Sequence, residues 1–184
     1  MRLLYLVALL PPEPVFSQTW ALKQEVHRLT GSRNAVRLPP HITLLPPWRA
    51  PAEAEVAYTA AMAAFGATEA SCPVALEGFA WFGDRTLFVR VHEAQALQGL
   101  QARLVAWCEA QALAIPAETR PYTPHLTLAT RDLPPPQVPA LRQLFAGRTY
   151  TATFAATHIT LFRHDGQQWQ ARATFALGPL LPST

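Results

Sequence analysis

The sequence predicts an α+β fold, and three observations lead there. Apolar residues recur with period 2 in some segments and 3.6 in others, which reads as βαβαββα followed by βαββ. That order is neither a dinucleotide-binding winding nor a parallel barrel, and no glycine-rich phosphate loop is present. Finally, one pattern occurs in each half of the chain: His41-Ile42-Thr43-Leu44 and His125-Leu126-Thr127-Leu128, 84 positions apart, with no tandem repeat around them.

The elements follow in order. Residues 2–10 read as a strand. The run superficially resembles a signal peptide, but it is short, Pro11-Pro12-Glu13-Pro14 follows, and no small-residue cleavage site is present. Phe16 to Thr30 reads as a helix with Phe16, Trp20, Val26 and Leu29 near one face and Gly31 ending it. Val36–Leu45 returns as a strand that Pro46-Pro47-Trp48 breaks, and Pro51 opens an alanine-rich helix to about Phe65. Val74–Trp81 and Thr86–Val91 form a hairpin through Gly83-Asp84. Glu93 to Leu113 is the longest helix, with Leu97, Leu100, Leu104, Val105 and Trp107 on the 3.6 period. A strand over 123–130 carries the second motif. Pro134-Pro135-Pro136 is a rigid connector, Pro139 to Phe145 a short helix stopped by Gly147, and strands at 149–162 and 168–177 close the chain.

The two motifs carry the chemistry. Each reads polar–apolar–polar–apolar, so on a strand the imidazole and the threonine hydroxyl point the same way, about 6.6 Å apart. Two such pairs facing each other supply two proton-transfer groups and two hydrogen-bond donors around one small anion. A cyclic phosphodiester needs this set, with a base to activate the attacking oxygen and an acid to protonate the leaving one. Unperturbed imidazoles titrate near pH 6.5, so one is expected neutral and the other protonated.

Pro-His-Ile-Thr-Leu at 40–44 and Arg-Pro-Tyr-Thr-Pro-His-Leu-Thr-Leu-Ala at 120–129 resemble the two signature motifs of the 2H phosphoesterases, the superfamily of 2′-5′ RNA ligases and RNA 2′,3′-cyclic phosphodiesterases. Ile159-Thr160-Leu161-Phe162, Gly166-Gln167-Gln168-Trp169 and Ala173-Thr174-Phe175-Ala176-Leu177-Gly178 resemble the family's closing hairpin. The resemblance implies a single bilobal unit over residues 1–184. It has two lobes of antiparallel sheet related by pseudo-twofold symmetry, outer helices, and a central cleft with the histidines on facing central strands. It also implies that His41, Thr43, His125 and Thr127 are catalytic, that no cofactor is required, and that the first strand is central and buried. The chain departs from the RNA ligase branch at Pro46-Pro47-Trp48, which stands where a Phe-Leu-Gly-like tail is common.

Composition bounds the alternatives. Half of the 184 residues are apolar and 15% are charged, which suits an ordered core rather than a disordered chain. A net charge of +3 permits an anionic substrate, but no run of consecutive Lys or Arg makes a polybasic surface. Only Lys23 is lysine; the rest of the basic character is arginine, through base composition or through its fit to phosphate. Cys72 and Cys108 have neither a CxxC nor a zinc spacing and read as buried thiols of a reducing compartment. No segment is expected to span a membrane, and a cytoplasmic location is expected. No metal site is expected either: His158 and His164 are six apart, and Asp132 and Asp165 lack an HxD or HxxxH partner. His158-Ile159-Thr160-Leu161 is a third match, which the resemblance places on the closing strand, and reads as a half-exposed strand histidine or one lining the rim of the cleft. His27, His92 and His164 read as surface or capping residues.

Selectivity is expected from the rim of the cleft. Trp48, Tyr122 and Trp81-Phe82 are candidates to stack on a nucleobase, with core packing as the alternative for each. Arg120, Arg131 and Arg37 flank the motifs as candidate phosphate contacts, and Arg163 is a weaker one. Two readings stand. The first is a metal-independent phosphoesterase that opens 2′,3′-cyclic phosphates of RNA ends or nucleotides, with reverse 2′-5′ ligation. The second is a nucleotide or RNA-end binding module with little turnover. Neither needs a membrane or an obligatory protein partner. A metal-dependent hydrolase using His158, His164 and Asp165 is a third.

Overall fold

The computed structural model describes residues 2–178. Its eight strands are β1 (Arg2–Leu9), β2 (Ile42–Pro51), β3 (Cys72–Phe82), β4 (Thr86–His92), β5 (His125–Thr130), β6 (Thr151–Ala156), β7 (His158–His164) and β8 (Trp169–Ala176). The helices are α1 (Val15–Thr30), α2 (Glu55–Thr68), α3 (Gln95–Ala110) and α4 (Val138–Ala146). All eight strands lie in one sheet, in the order β6-β3-β4-β5-β2-β1-β7-β8, and every named pairing is antiparallel. The two halves of the order, β6-β3-β4-β5 and β8-β7-β1-β2, are alike at the centre and differ in how their outer strands are connected. β4-α3-β5 in one half matches β1-α1-β2 in the other, and the motif strands β2 and β5 meet at the centre.

One face of the sheet holds the main core, where Tyr5, Val7, Leu9, Ile42, Leu44, Leu126 and Leu128 meet apolar residues of all four helices. The other face is open apart from a small cluster of Leu6, Ala8 and Phe162 with Leu10, Leu38 and Trp169 against it. β1 therefore buries both faces, which explains its nearly unbroken apolar run. Both motif threonines lie on the alternate positions to Ile42, Leu44, Leu126 and Leu128, and are half-buried.

Three elements depart from the sequence reading. β2 begins at Ile42 rather than Val36 and runs through the prolines to Pro51. Tyr5 pairs with Trp48 and Val7 with Leu45, so Pro46 and Pro47 together oppose Leu6 in a bulge. The pairing of β2 with β5 is at Ile42, so the missing proline N–H groups take no hydrogen bond from a ladder. The expected strand at 149–162 is two strands divided at Thr157: β6 pairs with β3 in one half, and β7 with β1 in the other. The buried stripe of α1 is Val15, Thr19, Lys23, Val26 and Thr30, while Leu29 is 50% exposed. Gly31 ends α1 as expected, at φ +73°, its N–H donating to the His27 carbonyl.

Candidate active site

The first shaping element is proline. Pro40 precedes His41 and Pro124 precedes His125, and a residue before proline is held extended. In both motifs the carbonyl two residues upstream meets the imidazole: His41 Nδ1 lies 2.7 Å from the Pro39 oxygen, and His125 Nδ1 lies 2.8 Å from the Thr123 oxygen. A carbonyl can only accept, so Nδ1 carries the proton in both rings and Nε2 is left to take or give one.

Register then arranges the four motif side chains. Ile42 pairs with Leu126, so along the antiparallel ladder His41 stands across from Thr127 and Thr43 across from His125. Each histidine thus faces a threonine, and the two histidines are diagonal neighbours, about 7–8 Å apart in such a ladder with their Cβ atoms somewhat closer.

Each threonine's backbone is gripped from outside the motifs. The Tyr122 hydroxyl donates to the Thr43 carbonyl at 2.8 Å, and Lys23 Nζ donates to the Thr127 carbonyl at 3.0 Å. The loop that delivers His41 is fastened as well. Asp132, just past β5, accepts hydrogen bonds from the Ser32 hydroxyl and from the Arg33 and Asn34 N–H groups.

Burial dominates the electrostatics. His41 is 9% exposed and is pushed down to about 4 by desolvation, with further repulsion from Lys23 and His125. His125 is lowered by burial too, although its bond to the Thr123 carbonyl opposes this. Lys23 falls to about 7 because burial strips water from its ammonium, despite the bond to the Thr127 carbonyl. The ligand-free site therefore favours two neutral imidazoles, not the half-charged pair that unperturbed values suggest.

The rim residues separate into those at the site and those away from it. Phe82 is 41% exposed, stacks on Phe88 at 4.2 Å and meets His125 edge-on at 4.9 Å. Trp81 instead packs under the Arg142 guanidinium. Trp48 is 3% exposed and sealed between Tyr5 and Tyr58, so it is a core residue that no base can stack on. Tyr122 is at the site, but its hydroxyl serves the Thr43 backbone. Arg120 is exposed and tied to Glu118 at 2.8 Å. Arg131 follows β5 at the end opposite His125, about 20 Å away at a strand's rise per residue. Arg37 is exposed in the loop before His41, and Arg163 is bound to Glu55 at 2.8 Å. His158 is exposed on β7 and contacts the Thr157 hydroxyl, with β1 lying between its strand and β2.

The sequence reading missed Lys23, Phe88 and Arg90. Arg90 pairs with His125 and Phe88 with Thr127 across β4 and β5, so all four share a face. The hairpin register, counted from Gly83, was the available signal for the last two. Lys23 gave none, because a lysine inside a helix reads as solvent-facing. Cys72 and Cys108 are both buried and free, as expected of structural thiols. Among the described residues, no three His, Cys, Asp or Glu side chains converge as metal ligands, and no helix is long and apolar enough to cross a membrane.

This is a symmetric antiparallel sheet with paired histidines on its two central strands. The family model of the 2′-5′ RNA ligase superfamily matches residues 11–168, and the chain belongs to that family. Among solved structures the fold is similar to TT0787 of Thermus thermophilus, at 24% identity and a TM-score of 0.71, covering 98% of this chain and 100% of that one. It is also similar to E. coli LigT complexed with 3′-AMP, at 16% identity and a TM-score of 0.68, covering 96% and 99%. A third similar fold is the MHV ns2 PDE domain, at 14% identity and a TM-score of 0.55, covering 88% and 99%. No curated protein sequence matches the chain.

Proposed function

We propose that the chain is a metal-independent phosphoesterase that opens 2′,3′-cyclic phosphates of RNA ends or nucleotides, with residues 1–184 acting as one bilobal unit. The observation that carries this reading is the identical locking of His41 and His125 by their Nδ1 atoms, on strands that meet at the sheet centre. One Nε2 takes a proton from water as its oxygen attacks phosphorus. The other, protonated, gives its proton to the ribose oxygen as the P–O bond breaks, so one water is added across that bond. The Thr43 and Thr127 hydroxyls donate to the nonbridging oxygens as charge builds there. Both proton transfers are supplied by the protein, so no step calls for a Lewis acid. With a ribose 5′-hydroxyl in place of water as the nucleophile, the same groups support 2′-5′ ligation, the base taking the hydroxyl proton and the acid giving one to the departing 3′ oxygen.

Phe82 is the aromatic face best placed for a base, and Arg90 is a cation that pairs with His125 across β4 and β5. E. coli LigT has structures with 3′-AMP, ATP and NADP+, which supports a phosphate-bearing nucleotide as the ligand of this cleft. Incubation with a panel of 2′,3′-cyclic nucleotides and cyclic-phosphate-ended oligonucleotides, EDTA present, tests the reading. Ring-opened monoester is the expected product. Binding without product would favour the recognition module instead.

A further inference from the structure

The two histidines are locked alike, so their hydrogen bonds alone do not decide which holds a proton. The groups behind them differ. Thr127, across from His41, has its carbonyl held by the Lys23 ammonium; Thr43, across from His125, has its carbonyl held by the Tyr122 phenol. The Thr127 carbonyl is therefore backed by a cation and the Thr43 carbonyl by a neutral phenol. Arg90, across β4 from His125, has its Nε donating to the Glu77 carbonyl and is not among the groups that shift His125.

Lys23 is an unusual occupant of its position. It is 1% exposed, lies in the middle of the buried stripe of α1, and has the Thr127 carbonyl as its hydrogen-bond partner. Burying an ammonium is unfavourable, and an apolar side chain would pack there at lower cost. The chain has 15 basic residues and uses arginine at every other one, all of them less buried than this lysine. An ammonium differs from a guanidinium in being a compact point charge that a single carbonyl can hold in a small space.

We propose that Lys23 is a positioning residue that makes the two histidines unequal: its buried ammonium, held on the Thr127 carbonyl beside His41, keeps His41 as the base and leaves His125 as the acid in cyclic-phosphate opening. The assignment rests on the phosphoesterase reading above. The electrostatics agree. His41 feels repulsion from Lys23 on α1 and from His125 on β5, whereas the groups acting on His125 do not include Lys23. Burial is the cause acting on Lys23 itself. Tyr122, its phenol pushed up by burial, stays neutral and repels no proton from His125. When the site takes up one proton it goes to His125, whose Nε2–H then faces the leaving oxygen, while His41 Nε2 remains free to accept the proton of water.

The test is a pH titration of isotope-labelled imidazoles by NMR in the free protein, for wild type, Lys23→Met, Lys23→Arg and Tyr122→Phe. Removing the cation removes repulsion, so in Lys23→Met the His41 midpoint should rise by about one pH unit while His125 moves much less. Lys23→Arg should keep His41 low, and Tyr122→Phe should move neither midpoint comparably. An unmoved His41 in Lys23→Met, or an equal movement of His125, overturns the proposal, and neither depends on any substrate. The roles themselves are read with a cyclic phosphate whose leaving oxygen is replaced by sulfur, which needs little protonation. His125→Ala should regain at least about tenfold of its lost rate on that substrate and His41→Ala should not; the reverse pattern overturns the assignment. No turnover of any cyclic phosphate by wild type would refute the phosphoesterase reading while leaving the titration result intact.

Discussion

Truncating Phe82 separates recognition of a base from catalysis. One face of its ring is covered by Phe88 at 4.2 Å, its edge meets His125 at 4.9 Å, and 41% of the residue is open to solvent. The open part is where a nucleobase can stack, a contact worth about 1–3 kcal/mol when the aromatic is replaced by alanine. At 1.4 kcal/mol per decade, Phe82→Ala should lower kcat/KM for a nucleoside 2′,3′-cyclic phosphate by roughly 5- to 150-fold. The edge contact with His125 also disappears, so part of any loss could come from a looser imidazole. A base-free substrate, glycerol 1,2-cyclic phosphate, isolates that part, because it keeps the reacting ring and offers nothing to stack. The assay is kcat/KM for both substrates with wild type and variant. The nucleoside substrate should lose at least about fivefold more than the base-free one. Equal losses on both would refute stacking and show that Phe82 acts through His125.

Thr43→Val and Thr127→Val keep shape and β-branching while deleting the hydroxyl, and each should lower kcat by about 10²–10³-fold with the backbone grips of Tyr122 and Lys23 intact. Unchanged kinetics in both would show that the threonines serve the strands alone. Trp48→Ala should cost about 3–5 kcal/mol of stability in chemical denaturation, because its ring is sealed between Tyr5 and Tyr58. The milder Trp48→Phe should leave KM for nucleotides near wild type. In the free protein His41 is held near 4 and His125 is lowered from its ordinary value, so both limbs of the kcat/KM profile move to the acid side. Activity should rise through the limb on which the base loses its proton, fall as the acid loses its own, and peak below pH 6.5. An optimum above pH 7 would contradict that account of the empty site.

Much of the site was legible because the motifs carry their own geometry. Period-2 alternation put each histidine and its threonine on one face; the grip of the upstream carbonyl on each Nδ1 emerged only from the structure. Local pattern cannot say which strands become neighbours. The segment at 149–162 divides at Thr157 because its two ends pair in opposite halves of the sheet. Pro46 and Pro47 looked like a strand break, yet a bulge opposite Leu6 accommodates both. Trp48 looked like a rim aromatic from its place after the first motif, but the bulge sends it into the core. Lys23 was hidden for a related reason. Hydrophobic periodicity places Phe16, Trp20 and Leu29 inward, whereas the buried stripe runs through Thr19, Lys23 and Thr30, whose polar groups find backbone carbonyls.

The central claim is that two imidazoles, and no metal ion, carry both proton transfers. It is tested most directly by turnover of a 2′,3′-cyclic nucleotide in the presence of EDTA, comparing wild type with His41→Ala, His125→Ala and His158→Ala. Wild-type turnover should be unaffected by the chelator. Each of the first two variants should lose at least about a hundredfold in kcat at every pH while remaining folded, and His158→Ala should lose far less. Activity abolished by EDTA and restored by a divalent ion, or a loss in His158→Ala as large as in the other two, would contradict it.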